Sequence, residues 1–297
     1  ESQNNLKQIV LAIHSHHDAQ KKVPNVNFPK VEDNGWDTTG GELWRTDGTT
    51  AGTFMVRELV AGPQGVEPQS MVAAGPGVYF RGIDASNNPG LYKSDGTFVG
   101  TSLVRALDMS FAYSFEKPGV MGSTIFFTAS DNAGEEPWKS DGTFAGTVRI
   151  RDLLPGSQGS LPIEMTRVGS QMFFSANAGT GRSIYKTDGT SAGTVLVKHF
   201  DPTNGGIYHP SLHDVNGVLF FTADDGAAGL ELWRSDGTAA GTHIIKEIRP
   251  LRTTGSASPV SPLALETAEG PRVFLRATDG ASGRELWSTD GTRAGTV

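Results

Sequence analysis

Glu231-Leu232-Trp233-Arg234-Ser235-Asp236-Gly237-Thr238-Ala239-Ala240-Gly241-Thr242 decides the fold, because its second half recurs along the chain. Asp-Gly-Thr-x-x-Gly-Thr occurs six times, starting at Asp47, Asp95, Asp141, Asp188, Asp236 and Asp290, at spacings of 48, 46, 47, 48 and 54 residues. An apolar–aromatic pair precedes each Asp: Leu43-Trp44, Leu91-Tyr92, Pro137-Trp138, Ile184-Tyr185, Leu232-Trp233 and Leu286-Trp287. A fixed period of this length is the signature of a repeat architecture.

Working outward from the loop, each unit reads as four short strands, here termed a to d in chain order. Strand b is an apolar run such as Ile125-Phe126-Phe127, Met172-Phe173-Phe174 or Leu219-Phe220-Phe221. A turn-rich stretch such as Asp224-Asp225-Gly226 follows it, which is hairpin chemistry. The aromatic pair forms strand c, the Asp-Gly-Thr segment is the c–d loop, and strand d follows, as in residues 242–246. A weaker strand a precedes b, and no helical period appears after residue 40. Four short strands per period describe one blade of an all-β β-propeller. Six c strands but five a–b pairs, near residues 70–84, 119–129, 163–177, 211–224 and 261–278, favour five blades over six. In that arrangement the d strand at 54–59 closes the last blade beside the C-terminal a, b and c. Six blades would need residues 23–36, where Pro24, Pro29 and Gly35 are poor strand sequence.

Composition excludes several classes. The 297 residues include no Cys, which removes disulfides, thiolate metal sites and cysteine nucleophiles. The 38 glycines are about twice the usual share, the mark of a turn-rich folded chain. A net charge of −7 with scattered Lys and Arg argues against nucleic acid as a partner. The longest apolar run, residues 9–13, is too short to span a bilayer.

The repeated aspartates Asp47, Asp95, Asp141, Asp188, Asp236 and Asp290 read as structural turns, since Asp accepts backbone N–H bonds two residues on and Gly supplies positive φ. Calcium is the alternative for these carboxylates, but no D-x-[DN]-x-[DN]-G string gathers the oxygens it needs, so no cofactor is expected. The strand-c aromatics read as packing residues. Gly189-Thr190-Ser191-Ala192-Gly193 matches a nucleophile elbow, yet the Ser191 position holds Thr50, Phe98, Phe144, Ala239 and Arg293 elsewhere, and no helix follows. Glu42, Glu136, Glu231 and Glu285 recur at one repeat position, which marks a structural role. Glu67, Glu116, Glu164 and Asp214 differ between units, but no acid/base pair stands out, so no catalytic residue is assigned. The d–a loops vary most, and a face whose loops differ is where a partner is recognised. That reasoning selects Phe111, Tyr113, Tyr208, His209 and Arg252 as candidate binding residues.

The chain divides into an amphipathic helix at 1–22, a linker at 23–40 and the propeller at 41–297. Leu6, Ile9, Val10 and Ile13 form one apolar stripe, and His14, His16, His17 and Asp18 its polar end. The run Asn4-Asn5-Leu6-Lys7-Gln8-Ile9, with Leu11-Ala12-Ile13-His14 and His17-Asp18, resembles the segment after the hydrophobic helix of pseudopilin-like proteins abundant in planctomycete bacteria. That resemblance implies a membrane helix ahead of Glu1, removed by trimming or maturation, and self-assembly through the N-terminal helix. From Glu42 onward the chain resembles the bacterial E-L-W-x-x-D-G-T-x-x-G-T (hyalin-repeat-like) repeat family of large secreted or surface proteins. Glu42-Leu43-Trp44, Glu231-Leu232-Trp233 and Glu285-Leu286-Trp287 match it fully. The expected function is a non-enzymatic extracellular or cell-surface module that binds protein or glycan. A subunit of a pilus-like filament or secretion pseudopilus is the first alternative, and a carbohydrate-binding or hydrolytic propeller the second.

Overall fold

The computed structural model describes residues 41–62, 64–109, 118–200, 206–207, 211–226, 229–248, 257, 259–268 and 270–297. The expected N-terminal helix and linker lie outside them. Every regular element among the described residues is a strand. The described residues form two compact units, one of residues 41–62, 64–109, 122–125 and 140–148, the other of the remainder.

The first sheet is β1 (Leu43–Arg45) with β2 (Phe54–Arg57). Four complete sheets follow, each an antiparallel meander in the spatial order of the sequence. They are β3 (Gln69–Ala74), β4 (Gly77–Ile83), β5 (Pro89–Ser94) and β6 (Ser102–Ala106); then β7 (Gly119–Met121), β8 (Thr124–Asp131), β9 (Gly134–Ser140) and β10 (Val148–Arg149). The next two are β11 (Ile163–Val168), β12 (Gln171–Asn177), β13 (Arg182–Thr187) and β14 (Val195–Lys198), and β15 (His213–Val215), β16 (Val218–Asp224), β17 (Leu230–Ser235) and β18 (His243–Ile244). The last is three-stranded: β19 (Val260–Thr267), β20 (Gly270–Ala277) and β21 (Glu285–Thr289). These four-stranded meanders are blades of β-propeller type.

The a–b hairpins turn on two residues. Gly75, Gly122 and Gly169 take φ of 58°, 65° and 60° at the first turn position, the type II′ pattern. Asn216 and Gly217 both have positive φ, the type I′ pattern. Strand b is buried on both faces: residues 172–176 of β12 and 219–223 of β16 are all buried. That two-sided burial is why strand b reads as an apolar run rather than an alternation.

The cores lie between successive sheets. Phe126 and Ile150 pack with Met165, Met172, Phe174 and Tyr185 of the next repeat. Phe173, Ile184 and Val197 pack with Leu219, Phe221 and Trp233. Each fully buried Phe or Leu in such a layer contributes about 1.5–3 kcal/mol.

One expectation changes. The sequence places a d strand at 54–59 in the last blade, but the strand is Phe54–Arg57 and pairs with β1, Leu43 opposite Arg57 and Arg45 opposite Phe54. The outer edge of β21 instead pairs with Val297, through Val297 N–H to Ser288 O at 2.9 Å and Ser288 N–H to Val297 O at 2.8 Å. A d strand stays with its own c strand because the seven- or eight-residue c–d loop between them is itself a closed hydrogen-bonded unit.

Candidate functional site: the repeated c–d loops

The loop between β13 and β14 shows what each letter of the motif does. Asp188 Oδ1 accepts from Thr190 N at 2.8 Å and from Thr190 Oγ1 at 2.7 Å. Thr190 Oγ1 in turn accepts from Gly193 N at 2.9 Å, and Thr190 O accepts from Thr194 Oγ1 at 2.7 Å. The hydroxyl of Thr187 receives Gly189 N–H at 2.9 Å and lies 2.8 Å from Thr194 Oγ1. Gly189 sits at φ 90°, where side chains are strained. A Cβ on Gly193 would overlap the Asp188 carboxylate. The same circuit closes in the other five loops.

Electrostatics agree with this use of the carboxylate. Hydrogen bonds from the Thr hydroxyl and then the Thr N–H hold Asp47, Asp95, Asp188, Asp236 and Asp290 below the ordinary 3.8. Among the described residues no cluster of three or more His, Asp or Glu could hold a metal ion. Ser191 lies exposed in this loop between two strands, without the strand-to-helix turn an elbow requires.

The recurring glutamate is a buried acceptor. Glu42 takes the N–H groups of Leu59 and Val60 at 3.1 and 3.0 Å. Glu136 takes Leu153, Leu154 and Ser160 N–H and the Ser160 hydroxyl, the last at 2.6 Å. Glu231 takes Ile248 N–H. Each thus ties strand c to the chain leaving strand d. Burial raises Glu42 and Glu136 above the ordinary 4.5, and the backbone donors offset part of that rise. Glu285 is exposed and stands outside the pattern.

Where the repeat replaces this Glu with Ser183, the Ser183 hydroxyl lies 2.9 Å from His199 Nδ1. Sequence reasoning missed that pair, and Ser183's replacement of the repeated Glu was the available signal. Ser183 is 2% exposed, so it cannot meet a substrate as a nucleophile. Asp214, another non-repeating carboxylate, accepts Gly217 N–H in its own hairpin. Glu67 and Glu164 sit at φ 49° and 62° where strand a begins. Phe111, Tyr113, Tyr208, His209 and Arg252, with Glu116, lie outside the described residues.

Two further features emerge only in three dimensions. The first is a set of cations reaching from each repeat onto the next c–d loop. From strand c, Arg45 Nη1 donates to Gly96 O at 3.2 Å, Lys93 Nζ to Gly142 O at 2.6 Å and Arg234 Nη1 to Gly291 O at 3.1 Å. From strand d or the two residues after it, Arg57, Arg105, Arg151 and Lys246 donate to the carbonyls of Thr101, Thr147, Thr194 and Thr296 at 2.6–2.7 Å. Strand-b rings complete the contact: Phe126, Phe173 and Phe220 lie against Gly189, Gly237 and Gly291. The second feature is an exposed aromatic pair at the variable loop positions, Phe98 (63% exposed) and Phe144 (67%), beside Val99 (88%). Arg57 and Arg105 stack on these rings at 4.8 Å from each centroid.

Comparison with known proteins separates the two ends of the chain. A family model described as "Protein of unknown function (DUF1559)" matches residues 1–50. No curated protein matches the chain. Among solved structures, a prolyl endopeptidase is 14% identical with a TM-score of 0.53, over 88% of this chain and 40% of its own. A puromycin hydrolase is 14% identical with a TM-score of 0.51, over 84% of this chain and 41% of its own. The β-propeller domain of the Trilobed protease from Pyrococcus furiosus is 12% identical with a TM-score of 0.45, over 84% and 73%. The chain therefore spans about two fifths of the hydrolases it resembles, and at these identities the likeness is one of fold.

Proposed function

We propose that the chain is a non-enzymatic interaction module working outside the cell or at its surface, in which a frame of β-propeller blades displays side chains at the variable positions of the c–d loops. One observation carries this reading: the loops consume their own polar groups, and what they leave outward is a pair of rings held in place by guanidinium stacking. Phe98 and Phe144 occupy the position that is Thr50, Ser191, Ala239 and Arg293 in the other repeats. An aromatic already fixed on a rigid loop loses little entropy on contact, which is how such residues act as anchors. The partner is a protein or a glycan chain of the envelope.

Replacing Phe98 and Phe144 together by alanine tests this. Binding of the labelled protein to envelope fractions is expected to fall at least tenfold, with the melting temperature within a degree or two of the parent, since exposed positions change stability little. Undiminished binding would remove the anchor role. A filament subunit is the second reading, resting on the resemblance of residues 4–18 to pseudopilin-like proteins. Electron micrographs of native material showing only monomers would count against it.

A further inference from the structure

We propose that the turn Asn216-Gly217 is a site of spontaneous covalent modification, at which the Asn216 side-chain amide is lost as ammonia with the neighbouring Asp214 carboxylate as the base. The turn joins β15 to β16, with Val215 opposite Val218. Its two residues stand at φ 52° and 79°, and both are exposed to water. Gly217 N–H donates to Asp214 Oδ1 at 2.9 Å. That nitrogen is the nucleophile of the reaction, so its proton already lies within the distance a general base needs. Glycine carries no Cβ to shield it.

Gly217 N bonds to Asn216 Cγ and gives its proton to Asp214. The Cγ–Nδ2 bond then breaks, the proton passes from Asp214 to the departing nitrogen, and ammonia leaves a cyclic imide behind. Water opens the imide at either carbonyl, giving aspartate or, with the main chain rerouted through the side-chain carbons, isoaspartate. Nothing is oxidised or reduced, and water is the one co-reactant.

The six Asp-Gly pairs could close the same ring, and there the fold blocks it. In all six the glycine N–H donates at 2.9–3.0 Å to the Ser or Thr hydroxyl two residues before it, as Gly189 does to Thr187, and a hydroxyl is no base at neutral pH. Each Asp Oδ1 is turned the other way, onto the N–H and hydroxyl of the Thr two residues on, which keeps the carboxyl in the ionised form that a nitrogen does not attack. The type II′ hairpins carry Gly75-Pro76, Gly122-Ser123 and Gly169-Ser170, with no amide or carboxyl to react. Isoaspartate adds backbone atoms to a turn of two residues, so Val215 cannot keep Val218 opposite. Leu212 and Val215 are buried in the two cores that flank this sheet, and conversion therefore loosens β15 as the protein ages. The site is independent of the Phe98–Phe144 pair.

The full chain, held in neutral buffer made with heavy-oxygen water, is digested and mapped by mass spectrometry, with isoaspartyl linkages read by an isoaspartyl methyltransferase. The map separates residue 216 from the Asn-Gly pairs at 34–35 and 204–205. The peptide bearing 216 is expected to convert and take up heavy oxygen, while the six Asp-Gly peptides keep their aspartyl linkage. D214N is expected to slow conversion at 216 by about tenfold or more. Should D214N fail to fold, D214S serves: it returns a hydroxyl to the N–H, as in the c–d loops, and should slow conversion likewise. A purely structural Asp214 would give the opposite sign, since a loosened turn closes the ring faster. The isoaspartyl form, separated by ion exchange, is expected to melt below its parent, and equal melting would overturn the loosening of β15. No conversion at 216, conversion as fast at the Asp-Gly pairs, or an unchanged or raised rate in the Asp214 variants would each overturn the proposal.

Discussion

Gly193 shows how a single hydrogen atom is enforced by a neighbouring charge. The Asp188 carboxylate fills the space a Cβ would take, so alanine there must displace the group that organises the loop. Overpacking of this kind costs about 1–3 kcal/mol. G193A is expected to lose that much in urea denaturation, while S191A, at an exposed variable position, should stay within about 0.5 kcal/mol of the parent. The two kinds of carboxylate respond oppositely to pH. The loop aspartates have folded values lowered below 3.8 by Thr donors, so their contribution is present above 3.8 and is lost as pH falls through the folded value. Glu42 and Glu136 are raised above 4.5 by burial, so their contribution is full below 4.5 and is lost as pH rises through the folded value. Melting temperature against pH should therefore pass through a maximum on the acid side of neutrality. E136Q should flatten the high-pH limb, whereas E136A, leaving three N–H groups and a hydroxyl without their acceptor, should destabilise by about 2–4 kcal/mol.

Between elements, the contacts that join one repeat to the next are carried by residues that look unremarkable in the sequence. Arg151 is exposed, but its guanidinium reaches Thr194 O at 2.6 Å in the following loop. R151M keeps the stem and removes the donor, with an expected loss of about 0.5–1.5 kcal/mol in chemical denaturation; an unchanged midpoint would show that solvent replaces the bond without cost. This pattern was hidden because the cations seem scattered until the chain is folded on its period, when they fall at two fixed places per repeat. Strands b and c, by contrast, were legible nearly to the residue, since burial on both faces writes an apolar run. Strand d was read too long: 242–246 shrinks to His243–Ile244 in β18. There the chain leaves the ladder so that Ile245 N–H meets Leu232 O and Ile248 N–H meets Glu231. The Glu position was visible as a repeat, but its partners lie 17 and 18 residues away and no local spacing announces them.

Within each compact unit the sheets bury their faces against one another, as in repeat proteins where nearest-neighbour terms dominate. That predicts a graded rather than uniform pattern of backbone protection. Central strands β8, β12 and β16 have hydrogen-bonded partners on both edges and rows of buried residues on both faces, Phe126, Phe127, Phe174 and Phe221 being at most 1% exposed. Opening them exposes two core layers at once. The d strands β10 and β18 are two residues long, have one strand partner each, and lie at a sheet edge. Local opening costs least where few buried contacts and one ladder are lost. Amide exchange followed by mass spectrometry should thus be slowest in peptides covering 125–128, 172–176 and 219–222 and fastest in those covering 148–149 and 243–244. The c–d loops are the informative intermediate case: the N–H groups of the exposed Thr190 and the half-buried Gly193 are bonded to side chains within the loop, so they should exchange more slowly than the exposed turn at Ser170. Loops exchanging as fast as that turn would mean that the Asp-Thr circuit does not persist in solution, and the rigid display of Phe98 and Phe144 would lose its basis.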